Sequence, residues 1–318
     1  MVSKEDFLLL SDGHRLPLVG LGTWQIDDQE SVERALELAI DAGYRHFDTA
    51  FAYENEQFIG SALKRIFQSG RIKREDIFIT TKLPMNGMRP ENVEFFFKLS
   101  LEALQLEYVD LYLLHFPVPT KRTEDIHEIL PLENGELAVD TDVNLLETWK
   151  AMEKLVEGKL VKSIGISNFN SEQIRRIYNA ATIKPTALQV ECHPFLQQIE
   201  LLEFAKSLKI AFIAYSPLGT PGMPNFIKKK YGVDVTPDSL LEDERIKKIA
   251  VKHNKTAGQI LLRFQVQQGI AIIPKSSNPT RIKENIQIFD FELDEEDLKT
   301  IKSMNKNHRY FDFVTHKR

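Results

Sequence analysis

The chain has 318 residues, 42% of them hydrophobic and 27% charged, a composition that can bury a large core without disulfides. Its net charge of -5 and pI near 6.0 argue against a nucleic-acid-binding protein, which needs clustered Lys and Arg. One cysteine excludes an internal disulfide, and neither a signal peptide nor an apolar run of about 18 residues is evident, so a soluble cytoplasmic protein without membrane contact is expected.

Short β-branched and aromatic runs alternate along the chain with longer amphipathic segments, the pattern of repeated βα units. Several of the short runs are apolar throughout, as expected of parallel strands that are buried on both faces. A hairpin through the turn Ser11-Asp12-Gly13 precedes the first of them. The eight predicted strands are residues 18–22, 46–50, 77–82, 109–115, 163–167, 187–191, 211–216 and 270–275.

Helix patterns lie between these strands, and some of their ends carry capping signals. Ser171 indicates a helix start, Thr256 suits an N-cap, and Gly43 and Gly158 suit helix ends. The predicted helices are residues 31–42, 56–68, 91–104, 144–157, 171–181, 200–207 and 257–267.

Eight such units in a chain of this length favour a single α/β domain, residues 1–318, folded as a closed (β/α)₈ TIM barrel. The rival fold is an open doubly wound sheet, which usually carries a Gly-x-Gly-x-x-Gly turn after its first strand. Here Gly20-Leu21-Gly22 supplies only two glycines. The sequence therefore predicts the barrel, with the N-terminal hairpin placed before it.

Two connections, residues 116–142 and 217–242, are longer than the others, and long connections in compact domains tend to be functional. Together with the tail 306–318, which carries Tyr310, Phe311 and Phe313, they are expected to form the walls of a pocket at the carboxyl end of the barrel. Lys228-Lys229-Lys230 is interpreted as a solvated loop.

Ionisable residues follow three adjacent strands. Asp48 and Tyr53 come after the second strand, Lys82 ends the third and His115 ends the fourth. Any one of them alone is more often structural, but catalytic groups of barrel enzymes stand at these strand ends, so their coincidence predicts one reaction centre. We expect Tyr53 to donate a proton, Lys82 to lower the pKa of Tyr53, Asp48 to hold Lys82, and His115 to orient a substrate oxygen. The remaining histidines are isolated, so no metal site is expected.

Several segments occur in an order that matches a known family. They are Gly20-Leu21-Gly22-Thr23-Trp24, residues 43–50 continuing to Tyr53-Glu54-Asn55-Glu56, residues 104–115, residues 165–169, residues 215–219 and Ile273-Pro274-Lys275-Ser276. On these motifs the chain resembles an aldo-keto reductase from end to end. The resemblance implies a monomeric barrel that reduces aldehydes and ketones to alcohols with hydride from NADPH, with Tyr53 as the general acid.

The resemblance also implies which residues bind the cofactor NADPH/NADP+. Asp48, Ser167, Asn168 and Gln189 would surround the nicotinamide and Tyr215 would stack on it. Other contacts are expected from Thr23, Trp24, Ser216, Pro217, Leu218 and Gly219.

The segment 275–285 has a physical meaning of its own. Lys275 and Arg281 could bracket the 2'-phosphate that distinguishes NADPH from NADH. Hydroxyl and amide groups nearby could complete the hydrogen bonds of that phosphate; the further residues assigned to this site are Ser276, Ser277, Asn278, Glu284 and Asn285.

Trp24, Phe51, His115 and Phe116 are the candidate substrate contacts, which suggests a hydrophobic small molecule such as a ketosteroid. Many relatives carry Trp where this chain has Phe116, which keeps an apolar wall but removes an indole donor. His115 stands where relatives that reduce steroid carbon-carbon double bonds have Glu, which favours carbonyl reduction. The alternative hypothesis is a barrel that binds the cofactor and serves as a binding or structural protein without turnover.

Overall fold

The computed structural model describes residues 7–234 and 238–311. Within these ranges eight parallel strands form one sheet whose order in space follows the order in the chain. Parallel bridges from Val19 to Ile272 and from Gly22 to Lys275 join the first strand to the last and close the barrel. The strands are β3 (Leu21–Gly22), β4 (His46–Asp48), β5 (Phe78–Leu83), β6 (Val109–Leu114), β9 (Val161–Ser167), β10 (Ala187–Glu191), β11 (Ala211–Tyr215) and β12 (Ala271–Ile272).

Helices surround this barrel, and the predicted (β/α)₈ architecture is confirmed. All seven predicted helices are present, with ends that differ from the prediction by at most two residues. They are α1 (Gln29–Ala42), α2 (Glu56–Gln68), α3 (Pro90–Leu104), α4 (Leu145–Glu157), α5 (Ser171–Ala180), α6 (Ile199–Ser207) and α9 (Ala257–Gln267).

Four further helices were not predicted. They are α7 (Met223–Tyr231), α8 (Glu244–His253), α10 (Pro279–Ile286) and α11 (Glu295–Lys302). Lys228, Lys229 and Lys230 therefore lie in α7 and not in a loop, which corrects the interpretation of that cluster. None of the helices among the described residues is long and apolar enough to cross a membrane.

The N-terminal hairpin covers one end of the barrel. Its strands β1 (Phe7–Leu9) and β2 (Arg15–Pro17) pair antiparallel. The turn between them places Gly13 at a φ of 90°, in the left-handed region that glycine adopts easily. Leu10 and Leu16 belong to the same buried cluster as Leu111 of β6, and Ser163 near the start of β9 donates a hydrogen bond to Asp12 Oδ2 at 2.6 Å. The hairpin thus closes the end where the strands begin and leaves the other end for a site.

Long connections lie at that other end. The one after β6 contains a short antiparallel pair, β7 (Leu132–Glu133) and β8 (Glu136–Leu137), and Asp140 ties it to the barrel through two bonds from the Arg89 guanidinium, at 2.7 and 2.9 Å. β5 and β6 are buried at every position, because side chains fill the barrel on one face and α-helices cover the other. This rigid layer holds the strand ends on which the predicted reaction centre stands.

Candidate active site

The structure brings the four predicted ionisable residues to one place at the carboxyl end of the barrel. Lys82 Nζ donates hydrogen bonds to Asp48 Oδ1 at 2.6 Å, to the carbonyl oxygen of Thr49 at 2.8 Å and to the Tyr53 hydroxyl at 3.2 Å. The rings of Tyr53 and His115 lie 5.7 Å apart between centroids. The ammonium group of Lys82 is therefore the hub that joins the carboxylate to the phenol.

The turn that carries Tyr53 is fixed by a buried amide. Residues Phe51–Tyr53 form one turn of 3₁₀-helix, and Glu54 ends it in the left-handed conformation with a φ of 55°. The Asn55 side chain then donates to the carbonyl oxygens of Thr23 and Ile26, at 2.9 and 3.1 Å, and accepts from the Thr49 hydroxyl at 3.0 Å. Asn55 was not assigned from the sequence, yet it holds the turn against the first and second barrel strands.

Burial dominates the electrostatics of the Asp48–Lys82 pair. It lowers the pKa of Lys82 and raises the pKa of Asp48, because low-dielectric surroundings disfavour both charges, while their attraction opposes each shift. Gln189 Nε2 adds a hydrogen bond to Asp48 Oδ2 at 2.7 Å, so both carboxylate oxygens have partners. The pair is a satisfied buried ion pair, with side-chain exposures of 0% for Lys82 and 2% for Asp48.

The Tyr53 pKa is shifted upward, whereas a lowered pKa was expected. Burial raises the pKa of this phenol well above 10, and the negative charge of Asp48 raises it further. Tyr53 therefore keeps its proton throughout the physiological pH range.

His115 is neutral at physiological pH. Burial lowers its pKa well below 6.5, and the positive charge of Lys82 acts in the same direction. The Asn168 side chain holds its backbone by donating to the carbonyl oxygen at 2.9 Å, and Phe116 stacks on its ring with centroids 5.0 Å apart. A neutral imidazole keeps one N–H donor and one acceptor, so it can donate a hydrogen bond without carrying charge.

The residues predicted around a nicotinamide adjoin this centre. Gln189 reaches Asp48, as described, and Tyr215 donates its hydroxyl hydrogen bond to Asn168 Oδ1 at 2.9 Å. Asn168 also donates to Ser167 Oγ at 3.2 Å and has a left-handed backbone with a φ of 65°. Thr23 donates from its hydroxyl to the carbonyl oxygen of Asp48 at 2.9 Å. One hydrogen-bonded layer thus links the ends of strands β3, β4, β9, β10 and β11.

The segments predicted for the phosphates lie beyond this layer. After β11, Ser216 and Gly219 have positive φ values of 51° and 72°, and a side chain on Gly219 would collide with Leu240. Leu218 packs into the core and Pro217 is buried, so the loop is well fixed. On the second segment, Asn278 Oδ1 caps α10 by accepting from the backbone of Thr280 and Arg281, both at 3.0 Å.

Lys275 and Arg281 stand close enough to interact. Partial burial lowers the pKa of Lys275; the negative charge of Asp27 opposes this shift, and the positive charge of Arg281 adds to it. Both side chains are exposed, so the two cations can reach an anion at the start of α10. Nearby, Ser276 and Asn285 are buried, while Ser277 is exposed and Glu284 is half-buried.

The candidate substrate contacts divide into two groups. The Phe116 ring stacks on the His115 ring, and the Trp24 ring packs edge-on against the Phe311 ring with centroids 5.3 Å apart. Phe51 instead lies between Phe96 of α3 and His127 of the long connection, with centroids 5.0 and 5.2 Å away. Its ring therefore packs between α3 and the long connection, and its substrate contact stays a prediction. Phe313 lies outside the described residues.

A second buried carboxyl group, Glu56, was not assigned from the sequence. Glu56 opens α2 and its Oε1 accepts a hydrogen bond from the Thr81 hydroxyl at 2.6 Å. Burial raises the pKa of Glu56 to about 7, although the charge of Lys82 opposes the shift. Thr81 precedes Lys82 in β5, so Glu56 lies behind the reaction centre.

The Glu56 pKa predicts how stability depends on pH. The pKa of Glu56 is about 7 in the folded protein and 4.5 in the unfolded chain, so Glu56 binds its proton more tightly in the folded state. The folded protein therefore loses stability as the pH rises from 4.5 through 7. We expect wild type to lose about 3 kcal/mol relative to Glu56→Gln between pH 4.5 and 8. Urea unfolding of both proteins across this range measures the difference, and parallel stability curves would contradict the assignment.

The comparisons with known proteins agree with the site. The model of the family described as "Aldo/keto reductase family" matches residues 18–306. The chain belongs to the aldo/keto reductase family. It is 45% identical over 316 residues to aldo-keto reductase family 1 member C1 of Macaca fuscata fuscata. The alignment covers 98% of this chain and 94% of that protein.

Two other matches extend the picture. This aldo-keto reductase is 45% identical over 314 residues to prostaglandin-E(2) 9-reductase of Oryctolagus cuniculus, covering 98% of this chain and 94% of the relative. The solved aldose reductase of Schistosoma japonicum matches its fold with a TM-score of 0.87 at 41% identity, over 97% of this chain and 95% of that one. The predicted family is confirmed, and the protein is an oxidoreductase that acts on carbonyl groups.

Proposed function

We propose that this aldo-keto reductase reduces hydrophobic aldehydes and ketones to alcohols with NADPH, and that Tyr53 is the general acid. The observation that carries the proposal is the hydrogen-bonded chain from buried Asp48 through buried Lys82 Nζ to the Tyr53 hydroxyl, with 2.6 and 3.2 Å between the bonded atoms. A protonated phenol beside an ammonium group can release its proton to a basic alkoxide, because the ammonium then stabilises the phenolate left behind.

Each residue has a distinct part in this reaction. Tyr53 keeps its proton until the substrate oxygen becomes basic, because its pKa is raised by burial and by Asp48. Lys82 offsets the negative charge that forms on the phenolate oxygen, and Asp48 keeps the Lys82 ammonium charged and in place. Neutral His115 donates a hydrogen bond to the carbonyl oxygen, which holds that oxygen close to the Tyr53 hydroxyl.

The residues present fit NADPH, which would supply the hydride when bound. The cations Lys275 and Arg281 and the start of α10 suit a phosphate. Burial and the charge of Arg281 lower the pKa of Lys275 against the opposing charge of Asp27, and a bound anion would offset the repulsion between the two cations. The Tyr215 ring and the amide groups of Asn168 and Gln189 lie beside the reaction centre and would hold the nicotinamide. The two parts of the site support a dinucleotide with a 2'-phosphate.

The cofactor preference can be tested at Arg281. We expect Arg281→Ala to weaken NADPH binding about tenfold and to leave NADH binding nearly unchanged, because only NADPH carries the 2'-phosphate. The expected loss of affinity is no larger because the Arg281 side chain is exposed and solvent weakens its attraction for the phosphate. Lys283→Ala removes a cation from the same helix and is the matched control. Fluorescence titration with both cofactors gives the dissociation constants, and equal loss for NADH and NADPH would contradict a phosphate contact.

The substrate class follows from the apolar groups beside the reaction centre. Phe116 and Trp24 are aromatic, and Phe311 packs against Trp24, so the walls suit a hydrophobic carbonyl compound. One relative is named for the reduction of prostaglandin E(2), which makes a large ketone a reasonable member of the substrate class alongside a ketosteroid. Action as a monomer in the cytoplasm stays a prediction from the sequence.

The direct test is NADPH oxidation with aromatic aldehydes, aliphatic aldehydes, 3-ketosteroids and prostaglandin E(2). We expect turnover of at least the aromatic aldehydes and one large ketone. Tight NADPH binding with no turnover across this panel would contradict the proposal and favour the alternative of a non-catalytic binding protein. Turnover with NADH alone would overturn the cofactor assignment.

A further inference from the structure

One buried carboxylate outside the reaction centre, Glu191, binds the segment that follows the last helix. Glu191 ends β10, two residues after Gln189, and has an exposed fraction of 0%. Its Oε1 accepts a hydrogen bond from the backbone N–H of Tyr310 at 2.7 Å, and its Oε2 accepts from the N–H of Phe311 at 3.1 Å. Two consecutive backbone donors of the tail thus converge on one side chain.

Groups around Glu191 hold it in this position. His193 Nε2 lies 2.9 Å from Oε1, and the Arg309 guanidinium lies 3.9 Å from Oε2. The His193 ring also packs against the Tyr310 ring, with centroids 5.1 Å apart. A carboxylate with donors on both oxygens is a rigid clamp, because charge-assisted hydrogen bonds are stronger than neutral ones.

The clamp determines where the Phe311 ring lies. Phe311 packs edge-on against Tyr215 at 5.7 Å and against Trp24 at 5.3 Å. Tyr215 is the ring expected to stack on the nicotinamide, and Trp24 is a candidate substrate contact. Phe311 therefore bridges the cofactor side and the substrate side of the mouth of the barrel.

We propose that Glu191 is a positioning residue for substrate specificity, because it fixes the segment 309–311 so that Phe311 forms one wall of the substrate pocket. The inference rests on the proposed carbonyl reduction. A large aromatic substrate would touch this wall, whereas a three-carbon aldehyde held at Tyr53 and His115 would not reach it. Loss of the clamp should therefore change the KM for large substrates selectively.

The test variant is Glu191→Gln, which keeps the shape of the side chain but replaces one acceptor oxygen with an amide that faces a backbone N–H. A matched control exists in Glu153→Gln, because Glu153 Oε1 likewise accepts from two consecutive backbone N–H groups, those of Thr182 and Ile183, at 2.7 and 2.9 Å. Glu153 lies on α4, away from the reaction centre.

Two measurements report on the proposal. Hydrogen exchange resolved to single amides should be about tenfold faster at Tyr310 and Phe311 in Glu191→Gln and unchanged there in Glu153→Gln. The KM for naphthaldehyde should rise about fivefold or more, while kcat and the KM for propanal stay within about twofold. Faster exchange without a selective KM change would overturn the specificity role, and unchanged exchange would overturn the clamp.

Phe311→Ala gives a second route that leaves the carboxylate in place. It should reproduce the rise in KM for naphthaldehyde, and the double variant should show little more than either single change, because both act through the same wall. If wild type turns over its substrates and the KM values of both single variants equal those of wild type, the role of Glu191 in specificity is wrong and the proposed function stands. Absence of turnover in wild type overturns the proposed function instead, while the exchange measurement still reports on the clamp.

Discussion

Tyr53→Phe is expected to lower kcat for carbonyl reduction by a factor of about 10²–10⁴ while the fold and NADPH binding remain. The substitution removes only the hydroxyl group that receives the hydrogen bond from Lys82 Nζ at 3.2 Å. The phenylalanine ring can keep its place beside His115, because the 3₁₀ turn is held by Asn55 and not by the phenol. The loss would therefore report on proton donation and not on folding.

Tyr112→Phe is the matched control for this measurement. The Tyr112 hydroxyl is buried and has no hydrogen-bond partner among the described residues, and its ring packs against Phe97 of α3, outside the barrel lumen. Removing that hydroxyl should leave kcat within about twofold and should not lower stability, because no hydrogen bond is lost. Full activity of Tyr53→Phe under saturating NADPH would refute the general-acid assignment.

The fold was predictable because its signals are local and repeated. Fully apolar strands such as β6 and amphipathic helices such as α2 give clear patterns, and the bounds of α2 and α9 match the prediction. Helix α10 begins at Pro279 after the N-cap Asn278, and the sequence interpretation assigned this segment to phosphate binding without giving the helix its bounds. Helices α8 and α11 are short, carry the acidic N-caps Asp243 and Asp294, and do not alternate with strands, so the βα pattern did not reveal them.

The reaction centre was predictable for a different reason. Asp48, Lys82 and His115 stand at strand ends, and parallel strands of a barrel place those ends at one edge, so sequence position alone implied their proximity. The direction of the Tyr53 pKa was not predictable, because it depends on how deeply the phenol is buried and on the distance to Asp48. Asn55 and Glu191 were missed since their partners, such as Ile26 and Phe311, are fixed only by tertiary structure.

Lys82→Met is expected to lower kcat by a factor of about 10²–10³, because the phenolate that Tyr53 leaves behind would lose the adjacent cation. It should also lower the free energy of unfolding by about 3–5 kcal/mol, since it leaves the Asp48 carboxylate buried without its counter-ion. Lys162→Met is the control: Lys162 is partly exposed, and its partner Asp110 retains an ion pair with Arg74. It should cost less than about 1 kcal/mol and leave kcat unchanged.

The pH dependence of this loss has a definite sign. Burial already raises the pKa of Asp48, and removal of Lys82 raises it further, so the folded variant takes up a proton that the unfolded chain releases near its ordinary value of 3.8. The loss of unfolding free energy in Lys82→Met relative to wild type should therefore be smallest in acid and should grow as pH rises. The double variant Asp48→Asn with Lys82→Met removes both charges and should recover most of the unfolding free energy but none of the activity. The amide introduced at position 48 can still accept a hydrogen bond from Gln189 Nε2, which lies 2.7 Å from Asp48 Oδ2 in the wild type. If the double variant is as unstable as Lys82→Met, the loss of stability comes from packing and not from an unpaired carboxylate.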